Sequence, residues 1–207
     1  MIQLKIKNDE LEKIEPRTLC EEAWQEIASH FPDFKVISKG QKLKRVAKDK
    51  DIFFEIYFQA NRYNNKDSVE FIPHIGIYSK SIKRAGINNG FIYGGDLGSL
   101  SSRKPHAWWQ LAGASYKYTV EEVSNLIKIH VIPIFNYFED TQANIDRILE
   151  GNRTSESLLY YIYYFGGKNK AQQYFNRILK VNIFKNKYIS FYESLKSMPE
   201  ENINLNY

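Results

Sequence analysis

The chain has 207 residues, of which 43% are hydrophobic and 15% aromatic, and its formal net charge is +5. This aromatic content excludes an intrinsically disordered chain. No run approaches about eighteen apolar residues and no apolar signal segment opens the sequence, so we expect a cytoplasmic protein with no membrane association. The single cysteine, Cys20, fits a reducing compartment.

The positive charge lies in the middle of the chain. Lysine and arginine outnumber aspartate and glutamate by five in residues 31–66 and by three in residues 67–118. A basic centre favours a partner with an acidic surface, most plausibly a protein, with nucleic acid as the second choice. A solvated, lysine-rich sheet edge would give the same pattern.

The first half of the chain predicts one helix followed by strands. Apolar residues at helical spacing indicate a helix within residues 9–31, with its main part starting near Glu15 and stopping before Pro32. From Phe34 to Tyr78 the period changes to two, and four runs read as strands of an antiparallel meander. These runs are FKVIS, KLKRVAK, DIFFEIYFQ and VEFIPHIGIY.

The second half is predicted to be mostly helical. Residues 86–102 read as a long loop that includes a short strand at GFIYGG. Thr119 and Glu122 have the spacing of a capping box, so we expect a helix to begin at Thr119 and Pro133 to kink or end it. Further helices are expected at 141–150, at 155–165 before Gly166-Gly167, and from 168 to about 195.

These elements predict an α+β fold. It has an N-terminal helix, a four- to five-stranded antiparallel sheet, and a helical C-terminal part packed on the sheet face of Ile52, Phe54, Ile56 and Phe58. Residues 1–118 would form the helix and sheet, and residues 119–207 the helical part of the same domain.

The opposite face of the predicted sheet is mixed, with aromatic, basic and acidic side chains. Such a face could form a binding concavity, perform acid–base chemistry through His74 with Glu55 and Glu70, or only face solvent. Its candidate residues are Arg45, Glu55, Tyr57, Gln59, Glu70, His74 and Tyr78.

The segment SSRKPHAWWQLAG, residues 101–113, supplies the remaining candidates. Adjacent tryptophans point in different directions in a strand or a helix, so we expect one of Trp108 and Trp109 to anchor the loop in the core and the other to lie on the mixed face. Aromatic and arginine side chains are frequent anchors of protein interfaces, and Arg103 and His106 complete the candidate set.

No pattern in the sequence carries a cofactor or a catalytic centre. The four histidines lack metal-ligand spacing, and Cys20 lies on an amphipathic helix, where burial is the ordinary state. GGDLGS lacks the lysine of a P-loop. We therefore expect no metal, no cofactor and no covalent catalysis, and we lean towards a protein that is not an enzyme.

The order of these pieces resembles the bacterial family DUF4304, a domain of unknown function. The features that carry the resemblance are Phe34-Lys35 after the first helix, IYFQ ending at Gln59, IPHIGIY around Gly76-Ile77, the tryptophans before a proline-kinked helix, and LLYYIYYFGGKNKAQQYF. It spans roughly residues 10 to 180 and implies no activity. Similar small proteins look like cargo of polymorphic-toxin and interbacterial-competition loci.

The sequence therefore leads to a functional hypothesis with open alternatives. We expect a non-enzymatic interaction protein, most plausibly an immunity protein that binds and blocks a bacterial toxin. A nucleic-acid-associated protein that uses the basic sheet region is one alternative, and an enzyme that uses the polar side chains of the mixed sheet face is another.

Overall fold

The structure is a computed structural model that describes residues 14–101, 103–181 and 185–197. The chain divides into two compact units. Among the described residues, unit 1 comprises 14–46, 53–76 and 94–135, and unit 2 comprises 47–52, 77–93 and 136–197. The organisation into parts 1–118 and 119–207 of one domain stays a prediction.

The first helix, α1, spans Pro16–Ser29. Glu15 is its N-cap, and Pro16 is tolerated in the first turn because that turn needs no backbone N–H donor. The helix ends at His30, before Pro32, as the sequence predicts. Trp24 is fully buried and its ring stacks on Phe58 at 6.3 Å between centroids. The predicted N-terminal extension over 9–13 lies outside the described residues.

Six strands form an antiparallel sheet, which confirms the α+β prediction with a strand count slightly higher than expected. The order is β1-β2-β3-β4-β5, and β6 pairs with β4 beside this path. The strands are β1 (Lys35–Ile37), β2 (Lys42–Val46), β3 (Ile52–Ala60), β4 (Glu70–Ser79), β5 (Phe91–Asp96) and β6 (Trp109–Gln110).

Strand β3 shows why the sheet has one apolar face. Ile52, Phe54, Ile56 and Phe58 are all fully buried, whereas the alternate residues of the strand are half-buried or exposed. The Phe54 ring lies 4.7 Å from that of Phe135, which belongs to a helix after the sheet. Helices thus cover the predicted face within unit 1, because a pleated strand turns alternate side chains to one side.

Residues 80–101 hold more regular structure than the predicted long loop. They contain α2 (Lys80–Arg84), a 3₁₀ turn (Asn88–Gly90), the predicted short strand β5, and the one-turn helix α3 (Leu97–Leu100). A Cβ atom at Gly94 would lie 2.0 Å from the carbonyl oxygen of Ile75. Glycine at position 94 therefore allows the backbones of two segments of unit 1 to pack closely.

The helix after β6 begins earlier than the sequence predicts. Helix α4 spans Ser115–Leu126 with Ala114 at its N-cap, so Thr119 lies inside the helix and the predicted capping box is wrong. Thr119 Oγ1 instead donates a hydrogen bond to the carbonyl oxygen of Gln110 at 2.6 Å. Glu122 therefore does not cap the helix, and its carboxylate bonds to the segment that precedes the helix.

A π-helical turn, Ile127–Val131, joins α4 to α5 (Ile132–Tyr137). It ends two residues before Pro133, whose missing N–H and bulky ring disturb the α-helical bonding of the turn before it. After this turn Phe135 is fully buried, whereas Ile134 beside it is only half-buried.

Unit 2 contains the C-terminal helices α6 (Thr141–Glu150), α7 (Glu156–Val181) and α8 (Lys185–Lys196). Gly167 interrupts α7 with φ 81°, which confirms the predicted break at the glycine pair. The predicted last helix corresponds to the second part of α7 and to α8, and 182–184 lie outside the described residues. In the described part of the chain, no helix is long and apolar enough to cross a membrane.

Candidate functional site

The solvent-facing side of the unit 1 sheet carries a row of lysines. Lys42 lies opposite Tyr57, Lys44 opposite Glu55, and Lys35 opposite Lys44. We call this side the polar sheet face, and its members are Lys35, Lys42, Lys44, Glu55, Tyr57, Gln59 and His74.

Arg45 does not belong to this face, so its predicted placement beside Glu55 and Tyr57 is wrong. The register sets Arg45 opposite Phe54, which is fully buried on the other side of the sheet. Its guanidinium carbon lies 5.2 Å from the Phe34 ring centroid and 4.9 Å from that of Phe54. A shift of one residue moves a side chain to the opposite face, so Lys44 occupies the place predicted for Arg45.

The charges on the polar sheet face do not cancel. Lys42 Nζ pairs with Glu55 Oε1 at 3.0 Å, and Lys44 Nζ lies 4.0 Å from the Phe53 ring centroid. Lys35 and Lys44 form a cross-strand pair of like charges, which ordinarily destabilises a sheet. The three lysines against one glutamate leave an excess of positive charge on this part of the surface.

His74 lies among neutral groups of the polar sheet face. Its Nε2 atom is 2.9 Å from Gln59 Oε1, and its ring stacks with Tyr57 at 6.2 Å between centroids. The carboxylates predicted to assist it have other partners, since Glu55 bonds to Lys42 and Glu70 Oε2 accepts a hydrogen bond from Asn61 at 3.1 Å.

Tyr78 is the remaining candidate of the predicted mixed face, and it belongs to unit 2. Its half-buried ring meets the ring of Phe91 edge to face at 5.6 Å between centroids.

Residues 103–109 form a loop that is fastened to unit 1 at both ends, and we call it the clasped loop. Glu122 of α4 forms an ion pair with Arg103, and its Oε2 atom accepts a hydrogen bond from Trp109 Nε1 at 3.1 Å. Trp109 also lies opposite the buried Phe71 in the β6–β4 pair. One carboxylate therefore holds two points of the loop.

Asp96 fastens the middle of the clasped loop. Its carboxylate accepts hydrogen bonds from the backbone N–H of Ser99 (2.9 Å), the hydroxyl of Ser99 (2.6 Å) and the backbone N–H of His106 (3.0 Å). His106 Nδ1 lies 3.2 Å from Asp96 Oδ2. Beside it, a Cβ atom at Gly98 would lie 2.3 Å from the carbonyl oxygen of Lys104, so only glycine allows this approach.

The loop exposes two side chains while it is held in this way. Trp109 is 3% exposed and Trp108 is 40% exposed, so Trp109 is the buried member of the pair and Trp108 the exposed one, while the placement of the second tryptophan on the mixed sheet face stays a prediction. The His106 side chain is 82% exposed, and its backbone adopts φ 58°. A left-handed conformation is unfavourable for a histidine, so the surrounding hydrogen bonds must maintain it.

Electrostatics connect the clasped loop to the polar sheet face through His74. Burial lowers the pKa of His74, the charge of Asp96 raises it, and the charge of His106 lowers it further, with a net decrease. For Asp96, burial raises the pKa, but the hydrogen bonds from Ser99 and His106 outweigh it and the pKa is lowered. The two features thus lie within electrostatic reach of each other in unit 1.

One family model matches the central part of the chain. Residues 38–137 match the family model described as Domain of unknown function (DUF4304). This match, over just under half of the chain, confirms the resemblance predicted from the sequence. No curated protein and no solved structure matches the chain significantly.

The DUF4304 region contains most of the polar sheet face, the whole clasped loop and both carboxylates that fasten it; Lys35 precedes it. Sequence reasoning missed Asp96 and Glu122 as anchors and Lys42 and Lys44 as members of the face. A signal for Asp96 exists, because aspartate is a preferred N-cap residue and Asp96 caps α3, whereas Glu122 was assigned to the wrong bond.

The DUF4304 region and the other described residues offer limited means for metal or thiol chemistry. Within the described ranges, no group of three or more His, Cys, Asp and Glu residues could hold a metal ion. Burial raises the pKa of the Cys20 thiol to about 11, so at neutral pH it is protonated and unreactive.

Proposed function

We propose that the polar sheet face and the clasped loop together form a docking surface for a protein with an acidic surface, and that the chain acts as an immunity protein. The observation that carries this proposal is the exposure of Trp108 and His106 on a hydrogen-bonded loop. Both are exposed on a loop that two carboxylates, Asp96 and Glu122, fasten to the domain.

Rigid presentation favours tight binding. A loop that is already ordered loses little conformational entropy when a partner docks, so more of the interaction energy is available as affinity. Tryptophan combines a large apolar area with a polar N–H group and is enriched among interface residues that contribute most to binding. Trp108 is the exposed member of the pair, and it would be the central anchor.

The charge of the polar sheet face supports an acidic partner. The pair Lys35 and Lys44 costs stability in the free protein, and an acidic partner would relieve their repulsion. The excess of positive charge on this face would accelerate association with an acidic protein through electrostatic steering.

The immunity role rests on the family outline and on the cytoplasmic location that we propose for the chain. An immunity protein needs no catalytic centre, since it acts by occupying a surface that the toxin requires. The toxin would present its acidic residues to Lys35 and Lys44, and a pocket for the ring of Trp108.

Site-directed photo-crosslinking in the native host tests this proposal. A photo-reactive amino acid replaces Trp108 in one variant, Lys44 in a second, and Tyr63 in a control. Tyr63 is 69% exposed, so it reports non-specific capture from elsewhere on the surface of unit 1. We expect one protein to be captured from the first two positions and not from the control.

The captured protein is then expressed alone and with this chain in a sensitive bacterial strain. We expect growth arrest alone, rescue by the wild-type chain, and loss of rescue by Trp108→Ala combined with Lys44→Glu. Capture of nucleic acid instead, or a captured protein without toxicity, would overturn the immunity role.

A further inference from the structure

The outer side of α4 and of the following π-helical turn carries a groove of about 270 Å³. Its lining residues recur at intervals of three or four along the helix, so they form one continuous stripe opposite the buried stripe. They are Tyr118, Glu121, Glu122, Asn125, Leu126 and Ile129.

The groove combines large exposed apolar side chains with carboxylates. Tyr118 is 64% exposed and Ile129 is 65% exposed, and because both line the same groove their apolar surfaces are close together. Glu121 is exposed beside them. A ligand for this groove must therefore be both cationic and partly apolar.

One carboxylate of the groove already pairs with a guanidinium group. Arg103, which is not among the lining residues, forms an ion pair with Glu122, which lines the groove. A guanidinium group is planar, so it can stack on an aromatic ring and bond a carboxylate with two N–H groups, and its aliphatic stem covers apolar surface. Glu121 offers the second carboxylate of the groove. The Tyr118 ring is available for stacking with the guanidinium group, and Ile129 is available for contact with the aliphatic stem.

We propose that this groove binds an arginine side chain of a protein partner. The guanidinium pairs with the carboxylate of Glu121 and stacks on Tyr118, while the stem lies along Leu126 and Ile129. The inference goes beyond the proposed function, because this groove is acidic whereas the polar sheet face is basic. It stands or falls independently of any acidic partner.

NMR titration of the full, ¹⁵N-labelled chain with N-acetyl-arginine methylamide tests the proposal. We expect saturable, millimolar binding whose amide shifts concentrate within residues 118–129. The substitution Glu121→Gln should weaken binding about fivefold, which is the upper range for an exposed charge pair. Glu22→Gln, at an exposed glutamate of α1, is the matched control and should bind like the wild type.

The lysine analogue of the probe should bind more weakly, since an ammonium group is more strongly hydrated and cannot stack as a plane. The assignment is overturned if shifts spread over the whole surface, if Glu121→Gln binds as tightly as the wild type, or if lysine binds as tightly as arginine.

Discussion

Trp109 Nε1 donates a hydrogen bond to Glu122 Oε2 across 3.1 Å, and this bond joins the end of a surface loop to the middle of α4. Since Glu122 also pairs with Arg103, the carboxylate closes the loop at both ends. The exposed Trp108 is held between these two points. The bond thus connects a buried anchor to the presentation of its neighbour.

The two tryptophans should differ sharply in their contribution to stability. Trp109→Ala removes a side chain that is 3% exposed and should cost about 3–5 kcal/mol of unfolding free energy. Trp108→Ala should change it by less than about 1 kcal/mol, because the side chain is partly solvated. Urea denaturation of both variants checks this difference, and equal losses would contradict the anchoring role of Trp109.

Asp96 should control the local order of the clasped loop. Asp96→Ala removes the acceptor of the backbone N–H groups of Ser99 and His106, so their amide exchange should accelerate at least about tenfold. Hydrogen exchange followed by NMR measures this. Asp67→Ala, at an exposed aspartate of another loop in unit 1, should leave these amides unchanged. Unaltered exchange at Ser99 in the Asp96 variant would contradict its role.

The pKa of His74 predicts a loss of stability in acid. Burial is the main cause that lowers this pKa, so the folded state prefers neutral histidine. The unfolded chain takes up a proton as the pH falls below about 6.5, and stability declines until the pH passes the lower pKa of the folded state. The variant His74→Asn should lack this part of the decline.

Thermal unfolding between pH 7.5 and 5 compares the wild type with the His74 variant. His30→Asn, at an exposed histidine after α1, is the control and should keep the wild-type decline. A parallel pH profile for wild type and His74→Asn would show that another group is responsible.

The like-charge pair on the sheet predicts opposite effects on folding and on binding. Lys35→Glu places a carboxylate opposite Lys44 and should stabilise the fold by about 0.2–1 kcal/mol. The same change should weaken binding of the acidic partner proposed above. Lys66→Glu, at an exposed lysine of a loop, should do neither. A Lys35 variant that binds the partner more tightly would contradict the docking surface.

Arg45 and Lys44 are adjacent in sequence but should respond differently to truncation. Arg45 covers two buried phenylalanine rings, so Arg45→Ala should cost more than about 1 kcal/mol through lost packing and cation–π contact. Lys44→Ala should be near neutral or stabilising, because it relieves the repulsion from Lys35. Urea denaturation distinguishes the two, and a more costly Lys44 variant would contradict the register.

Local patterns in the sequence determined the secondary structure and the apolar face. The alternation through Phe54 and Phe58, the helical spacing around Trp24, and the break at Gly167 all depend on neighbours within a few residues, so they could be predicted from the sequence. The adjacent tryptophans also had to diverge in direction, whatever element contained them.

Tertiary structure decided what those patterns left open. The register of β2 against β3 put Lys44 rather than Arg45 on the polar sheet face, because a period of two cannot by itself say which alternate set faces inward. His106 lies ten residues from Asp96 and Trp109 lies thirteen residues from Glu122, and Glu122 could satisfy a local cap or a distant loop with equal chemistry. Only the close approach of these segments selects between such bonds, and that approach depends on the packing of the whole unit.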